Sequence, residues 1–117
     1  MMDNEIEMTR GTTAAFVLEI VDDEGIPYVP EQSDVLRLGV KHDSTQSDYS
    51  IIKTGTYNSD EGVFVFEMSP DDTINLTAKL YGERYWYDVG LRTGSDYYIV
   101  ARGPLTLYEA ITEMEAS

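Results

Sequence analysis

The chain of 117 residues has no cysteine, one histidine and only eight basic residues. The missing cysteine excludes disulfide bonds, thiolate metal sites and thiol nucleophiles. Twenty-two acidic residues give a formal net charge of −14. This charge disfavours nucleic acid and anionic membranes as partners, because both are bound by neutralising phosphates with Lys and Arg. We interpret the excess of acid chiefly as solubility and self-repulsion, with an acidic recognition patch as the alternative.

Long apolar runs are also missing. No stretch approaches the roughly eighteen residues of a membrane span, and no basic segment followed by an apolar one marks a secretory signal. We therefore expect one soluble domain over residues 1–117, with its core over about residues 10–112 and flexible ends. The absence of cysteine fits synthesis in the cytosol.

What the chain does contain is a series of short segments in which apolar and polar residues alternate, the pattern of half-buried strands. The inward positions predicted for two of them are Phe16, Leu18 and Ile20, followed by Leu36, Leu38 and Val40. Arg37 and Lys41 are predicted to face outward. Between the two segments, Asp22–Gly25 predicts a turn in which Gly25 takes a positive φ.

The most informative stretch runs from Gly82 to Tyr108. It predicts two aromatic strands joined by a turn at residues 93–96. Alternation on the first strand predicts a core face made of Tyr85, Tyr87, Val89 and Leu91. The opposite face is predicted to hold Arg84, Trp86, Asp88 and Arg92. Pro104 has no N–H, so we expect the second strand to kink there or to run along a sheet edge.

One helix start is visible at residues 69–72, where Ser69 can cap, proline suits the first helical position and acids complement the helix dipole. A small apolar stripe of Ile74, Leu76 and Leu80 predicts a short helix near residues 70–80. Seven or eight strands with one short helix predict an all-β fold, an immunoglobulin-like antiparallel β-sandwich. A small, partly closed barrel is the alternative.

No residues have the spacing of a catalytic or metal site. Asp22–Gly25 could coordinate a hard cation but lacks the spacing of a calcium loop, so a hairpin turn explains it better. His42 has no nucleophile context nearby in the sequence. We therefore expect no enzyme activity, no cofactor and no metal site. A calcium-stabilised extracellular sandwich is kept as a minor hypothesis.

The aromatic residues are the remaining candidates for binding. Nine tyrosines and one tryptophan could stack on sugars, yet such residues also favour half-buried strands. Tyr85 and Tyr87 are predicted to lie in the core. Trp86 is predicted on the opposite face with Arg84 and Arg92, and these three form a candidate protein interface, since aromatic residues and arginine are enriched at interfaces.

A series of segments spans roughly residues 10–112 in a characteristic order: Gly11-Thr-Thr13, Phe16-Val-Leu18, Asp22-Asp-Glu-Gly-Ile-Pro27, Gly62-Val-Phe64, Asp72-Thr-Ile-Asn-Leu76, Gly82-Glu-Arg-Tyr-Trp-Tyr-Asp-Val-Gly-Leu91 and Gly103-Pro-Leu-Thr-Leu107. This order resembles a family of small β-sandwich structural proteins of tailed phages and prophages. The nearest resemblance is to the N-terminal domain of the phage baseplate upper protein.

The resemblance implies a non-enzymatic structural protein of a phage or prophage particle, at the tail or baseplate of the virion. Its partners would be other phage structural proteins and further copies of itself in a homo-oligomer, held by protein–protein contacts. The alternative is a carbohydrate-binding or adhesin-type module that recognises a surface glycan. An exposed platform of Trp86 and two tyrosines would favour the glycan; burial of these rings or coverage by another copy would favour assembly.

Overall fold

A computed structural model describes residues 2–3, 5–43 and 45–111. The prediction of an all-β fold is confirmed, since strands make up almost all the regular structure of these residues. The strands are β1 (Met2–Asp3), β2 (Ile6–Thr9), β3 (Ala14–Leu18), β4 (Val35–Lys41), β5 (Ile51–Thr54), β6 (Thr56–Asn58), β7 (Val63–Met68), β8 (Glu83–Thr93) and β9 (Asp96–Tyr108). None of the described segments contains a helix long and apolar enough to cross a membrane. The flexible ends predicted for the chain fall largely on residue 1 and residues 112–117, which lie outside the described residues.

Two sheets enclose the core, as predicted for a sandwich. Sheet A has the strand order β1-β9-β8-β4-β5, with β2 also paired to β9, and sheet B has the order β3-β7-β6. The pairing differs from a wholly antiparallel sandwich at one edge, where β1 and β2 run parallel to β9. The reason is that the chain passes from sheet A to sheet B at residues 10–13 instead of returning along sheet A through a hairpin.

Strands β8 and β9 form the long central hairpin of sheet A. Gly94 and Ser95 join them, and Gly94 has a φ of 60°, which suits glycine at the first position of a tight hairpin turn. The predicted alternation is confirmed: Tyr85 and Tyr87 are 2% and 6% exposed. The Tyr85 hydroxyl donates to the carbonyl of Thr77 at 2.7 Å. The hairpin therefore supplies one wall of the core and leaves its other side chains on the outer surface.

The core lies between the inward faces of the two sheets. Its most deeply buried hydrophobic side chains are Leu38, Val40, Phe66, Met68, Leu105 and Leu107. The inward positions predicted from the sequence are confirmed, with Leu18 and Leu36 buried and Phe16 partly buried against the same cluster. This packing requires each strand to keep its register, because a shift of one residue would turn every apolar side chain outward.

Pro104 lies in the interior of sheet A, so the prediction of an edge strand at this residue is wrong. It is paired with Trp86 of β8, and β9 is flanked on its other side by β1 and β2. The parallel pairing to these short strands stops at Arg102 and resumes at Leu105. The interruption leaves Pro104 beside a gap in the ladder, which suits a residue that has no N–H to donate.

The helix predicted near residues 70–80 is limited to a 3-10 turn at Pro70–Asp72. The chain leaves the helical path directly afterwards, where Thr73 is fully buried and its hydroxyl accepts the N–H of Gly11 at 2.8 Å. The expected apolar stripe does not form, because Ile74 and Leu80 are 44% and 53% exposed. The N–H of Ile74 donates to the carbonyl of Pro70 at 3.1 Å and that of Leu76 donates to the carbonyl of Thr73 at 2.9 Å, so turns take the place of the predicted helix.

Replacing Phe66 tests the position of the core. Phe66→Ala is expected to lower the free energy of unfolding by about 3–5 kcal/mol, because the ring is buried and its removal leaves a cavity. Ile26→Ala is the control, since Ile26 is 54% exposed in a loop and should change stability by less than about 0.5 kcal/mol. Urea denaturation measures both values, and equal losses would contradict this description of the core.

A second prediction concerns Asp72, whose carboxylate accepts hydrogen bonds from the N–H and hydroxyl of Ser69 at 2.7 and 3.2 Å. It also pairs with Lys53 of β5 at 2.8 Å. Burial raises the pKa of Asp72, but the bonds to Lys53 and Ser69 outweigh burial and bring the pKa below its usual value of 3.8. A lowered folded-state pKa means that the carboxylate stabilises the fold above the usual pKa, and that this contribution is lost as pH falls through the folded-state value.

Asp72→Asn is therefore expected to be less stable than the wild type at neutral pH, with a difference that shrinks as the pH falls below 3.8. Urea denaturation at a series of pH values from 7 to 3 measures this difference. Asp71→Asn, at the exposed neighbouring residue, is the control and should show a small difference throughout. A deficit of Asp72→Asn that stays constant with pH would rule out the assigned role of the carboxylate.

Candidate functional site on the outer face of sheet A

The outer face of sheet A collects basic and aromatic side chains. Alternation places every second residue of β4 and β8 on this side, away from the core. In β9 an irregularity at Val100 shifts the alternation by one residue, so Tyr97 and Arg102 both lie on this side, opposite Arg92 and Asp88. We call this surface the basic aromatic face and define it by Arg37, Lys41, Tyr49, Arg84, Trp86, Arg92, Tyr97 and Arg102. It holds five of the eight basic residues of the chain, so positive charge is concentrated on one side of an acidic protein.

Strand register determines which residues of the face are neighbours. Lys41 of β4 lies opposite Trp86 of β8, and Arg92 of β8 lies opposite Tyr97 of β9. Asp88 lies between these two pairs along β8. The aromatic rings are therefore spread along the face and alternate with charged side chains.

A lysine or arginine side chain lies over each of the three aromatic rings of the face. The distances from the cation to the ring centroid are 4.8 Å for Lys41–Tyr49, 5.8 Å for Arg84–Trp86 and 5.5 Å for Arg92–Tyr97. These distances lie within the range in which the negative face of a ring attracts a cation. Tyr49, Trp86 and Tyr97 are 53%, 51% and 58% exposed. Each pair therefore presents an aromatic surface and a positive charge together to the solvent.

Two glycines within strands allow two of the rings to lie close to the sheet. A Cβ atom at Gly39 would lie 2.6 Å from Cε1 of Tyr49, and one at Gly90 would lie 2.2 Å from the hydroxyl oxygen of Tyr97. Glycine inside a strand often marks such a close approach, and an aromatic ring then covers the backbone that glycine leaves bare. The positions of both rings therefore depend on glycines in β4 and β8.

The basic residues outside this face are all paired with carboxylates. The pairs are Arg10–Glu109 at 2.7 Å, Lys53–Asp72 at 2.8 Å and Lys79–Glu83 at 3.6 Å. In contrast, within the described residues Arg37, Lys41, Arg84 and Arg92 form no salt bridge. Neighbouring carboxylates therefore neutralise less of the positive charge on this face than of the positive charge elsewhere.

Two acidic side chains share the outer side of sheet A among the strand positions whose side chains are described. Asp88 is central, and Glu7 lies at the β2 edge, opposite Thr106. Among the described side chains of this face, five cations thus meet two carboxylates. Arginine binds carboxylates through paired N–H donors, and rings bury apolar area. The arrangement is suited to binding an acidic partner with flat or apolar groups.

The three residues predicted as a candidate interface, Arg84, Trp86 and Arg92, all lie on the outer side of sheet A and are exposed. Arg84 and Trp86 are neighbours there, whereas Arg92 lies about 20 Å further along β8. Alternation along β8 was sufficient to group them. Sequence reasoning missed Tyr49, which comes from a loop, and Tyr97, which comes from the opposite strand. The available signal was a glycine inside each of two predicted strands. Such a glycine indicates that another side chain covers the backbone there, but it does not identify that side chain.

The other residues considered from the sequence form no site. His42 follows β4, and its Nε2 lies 3.5 Å from Oε2 of Glu83. Asp22 serves its own turn, since its Oδ1 accepts the N–H groups of Glu24 and Ile26, each at 2.9 Å. Over residues 2–3, 5–43 and 45–111, no three His, Asp or Glu side chains form a group able to hold a metal ion.

Comparisons with known proteins leave the function to be argued from the geometry of the face. No protein-family model matches the chain, and no curated protein matches it. The resemblance to phage sandwich domains therefore remains a prediction drawn from the sequence motifs.

The contact between Gly90 and Tyr97 can be tested with a double-mutant cycle. Gly90→Ala should move the Tyr97 ring off the sheet and break its stack on Arg92. In a Tyr97→Ala background the same change should be neutral or stabilise by up to about 1 kcal/mol, because alanine loses less backbone entropy than glycine on folding. Urea denaturation of the four proteins should give a coupling energy of roughly 1 kcal/mol.

Gly39→Ala in the same two backgrounds is the matched control, because Gly39 lies under Tyr49. Its effect should not depend on Tyr97. Additive energies for Gly90 and Tyr97 would contradict the placement of the ring.

Proposed function

We propose that this protein is a non-enzymatic assembly protein that binds an acidic surface of a neighbouring subunit through its basic aromatic face. The particle is that of a tailed phage or prophage, at the tail or baseplate, as the sequence motifs suggest. The observation that carries the proposal is the concentration of five of eight basic residues on one exposed face, where three rings each hold a cation.

A protein surface fits the shape and composition of the face. The face is an open, pleated sheet surface, and its aromatic side chains are about half exposed. Tryptophan, tyrosine and arginine are the residues that contribute most to binding energy at protein interfaces, because each buries much area in a few contacts. Complementary charge on the partner would speed encounter and select the correct surface.

The charge distribution also favours a compact acidic partner over nucleic acid. The whole chain has a net charge of −14 although the face itself carries five cations. An extended polyanion would reach beyond the face and meet the acidic remainder of the surface, which opposes binding. An acidic patch on a neighbouring protein can meet the face alone.

Binding of an acidic surface glycan is the second candidate. It is supported by a specific observation, since Trp86, Tyr49 and Tyr97 are all about half exposed on the same side of the sheet. Aromatic rings stack on sugars, and arginines can pair with sugar carboxylates. The glycan would have to be acidic, because a neutral one would offer no carboxylate to Arg37, Lys41, Arg84 and Arg92.

Incorporation into particles tests the proposal. In a phage or lysogen that encodes this chain, the gene is deleted and supplied in trans as the wild type or as the triple variant Arg84→Gln, Trp86→Ala and Arg92→Gln. The matched control carries Lys79→Gln and Gln32→Glu, an equal change in charge at exposed residues away from the face. Particles are purified on a density gradient and the chain is quantified by mass spectrometry.

The wild type and the control are expected in the particle fraction, and the triple variant is expected to remain unassembled. A triple variant that is incorporated as well as the wild type would refute the role of the face. Absence of the wild type from particles would refute the assembly function. If, in that case, the wild type bound sialylated or uronic-acid oligosaccharides and the triple variant did not, the glycan function would replace the assembly function.

A further inference from the structure

A groove runs along the side of the sandwich where the edges of sheet A and sheet B approach each other. It has a volume of about 550 Å³ and is lined by residues 5–7, by residues 15–18 and by core side chains that include Leu38, Val89 and Ala101. It is separate from the basic aromatic face, since these core residues lie on the inward side of sheet A. Buried core side chains therefore form the floor of the groove.

The lining pattern shows that the groove follows the edges of two strands. Alternate residues of a strand point to opposite sides of its sheet, so a surface on one side of a sheet touches every second residue. Here consecutive residues 15–18 of β3 line the groove, and so do consecutive residues 5–7 at the start of β2. The groove thus lies beside the backbones of both strands.

Strand β3 has an unoccupied edge on the side of this groove. It pairs with β7, and within the described residues no strand pairs with its other side. Sheet B has three strands where sheet A has six. One added strand next to β3 would extend the narrower sheet over the groove and cover the core side chains beneath it.

The sequence of β3 carries none of the features that protect a strand edge. Ala14–Leu18 contains no charged residue and no proline, and Val17 is 62% exposed. Natural edges are commonly protected from pairing by such residues. This edge is therefore able to accept another strand.

The charge around the groove indicates which strand would fit. Glu5 and Glu7 line it, Glu19 directly follows β3, and all the other lining side chains are uncharged. We propose that the groove binds an extended segment of a partner protein that adds to sheet B beside β3, places apolar side chains inward and pairs Lys or Arg with these carboxylates. A second copy of the chain is disfavoured, because it would bring a like-charged groove and a further net charge of −14.

A capped synthetic peptide, Lys-Val-Lys-Val-Lys-Val-Lys, is the probe. Three control peptides are compared with it. One has glutamate in place of lysine, and two carry N-methyl groups on the backbone amides of alternate residues, one peptide for each of the two alternate sets. We expect the lysine peptide to bind, to shift the NMR resonances of residues 5–7 and 14–18, and to protect β3 amides from hydrogen exchange. The glutamate peptide and the N-methylated peptide whose methyl groups face β3 should bind at least roughly tenfold more weakly, because they lose charge complementarity or strand pairing, whereas the other N-methylated peptide should still bind.

The protein variant Glu5→Gln with Glu7→Gln should weaken binding of the lysine peptide roughly threefold to tenfold at low salt. Glu31→Gln with Glu61→Gln is the matched control and should leave the affinity unchanged. The triple variant of the basic aromatic face should also bind normally, so this proposal can fail independently of the assembly function.

Three results would overturn the proposal. One is the absence of binding at millimolar peptide. Another is equal binding of the lysine peptide and both N-methylated peptides. The third is a set of shifted resonances that lies outside the groove. Shifts in the acidic loops, for example, would mean that the peptide is held only by general attraction between its lysines and the acidic surface.

Discussion

The alternation of side chains along the β8–β9 hairpin is the constraint on which both the core and the proposed binding surface depend. Successive residues point to opposite sides of the sheet, so the burial of Tyr85 and Tyr87 places Arg84 and Trp86 on the outside. A register shift of one residue would exchange the two sets and expose the tyrosines. The free energy gained by burying the tyrosine rings thus also determines which face carries the cations.

The eight basic residues of the chain serve two purposes that the structure separates. Arg10, Lys53 and Lys79 pair with carboxylates, and the Arg10–Glu109 and Lys53–Asp72 pairs connect distant parts of the chain. On the outer face of sheet A, cations stack on rings instead, and a stacked guanidinium keeps N–H donors that can still bind a carboxylate. In a protein with so few bases, this concentration makes one face chemically different from the rest of the surface.

The sequence predicted those features that depend on residues close to one another along the chain. Alternation identified the inward side of β4 and β8, and Gly94 identified the hairpin turn. Features set by contacts between distant segments were missed. Pro104 is accommodated beside the break between β1 and β2, and the residues after Asp72 form turns next to the buried Thr73 hydroxyl, which accepts the N–H of Gly11. For the same reason, Trp86 was predicted as a candidate from the sequence, but Tyr49 and Tyr97 were not.

The two proposed surfaces require partners of opposite charge, and this limits the assemblies in which the chain can take part. Pairing two copies across a two-fold axis would bring the basic aromatic face against itself, or the acidic groove against itself, and both contacts would be repulsive. The charge distribution therefore favours a position between unlike neighbours, with an acidic surface on sheet A and a basic strand beside β3.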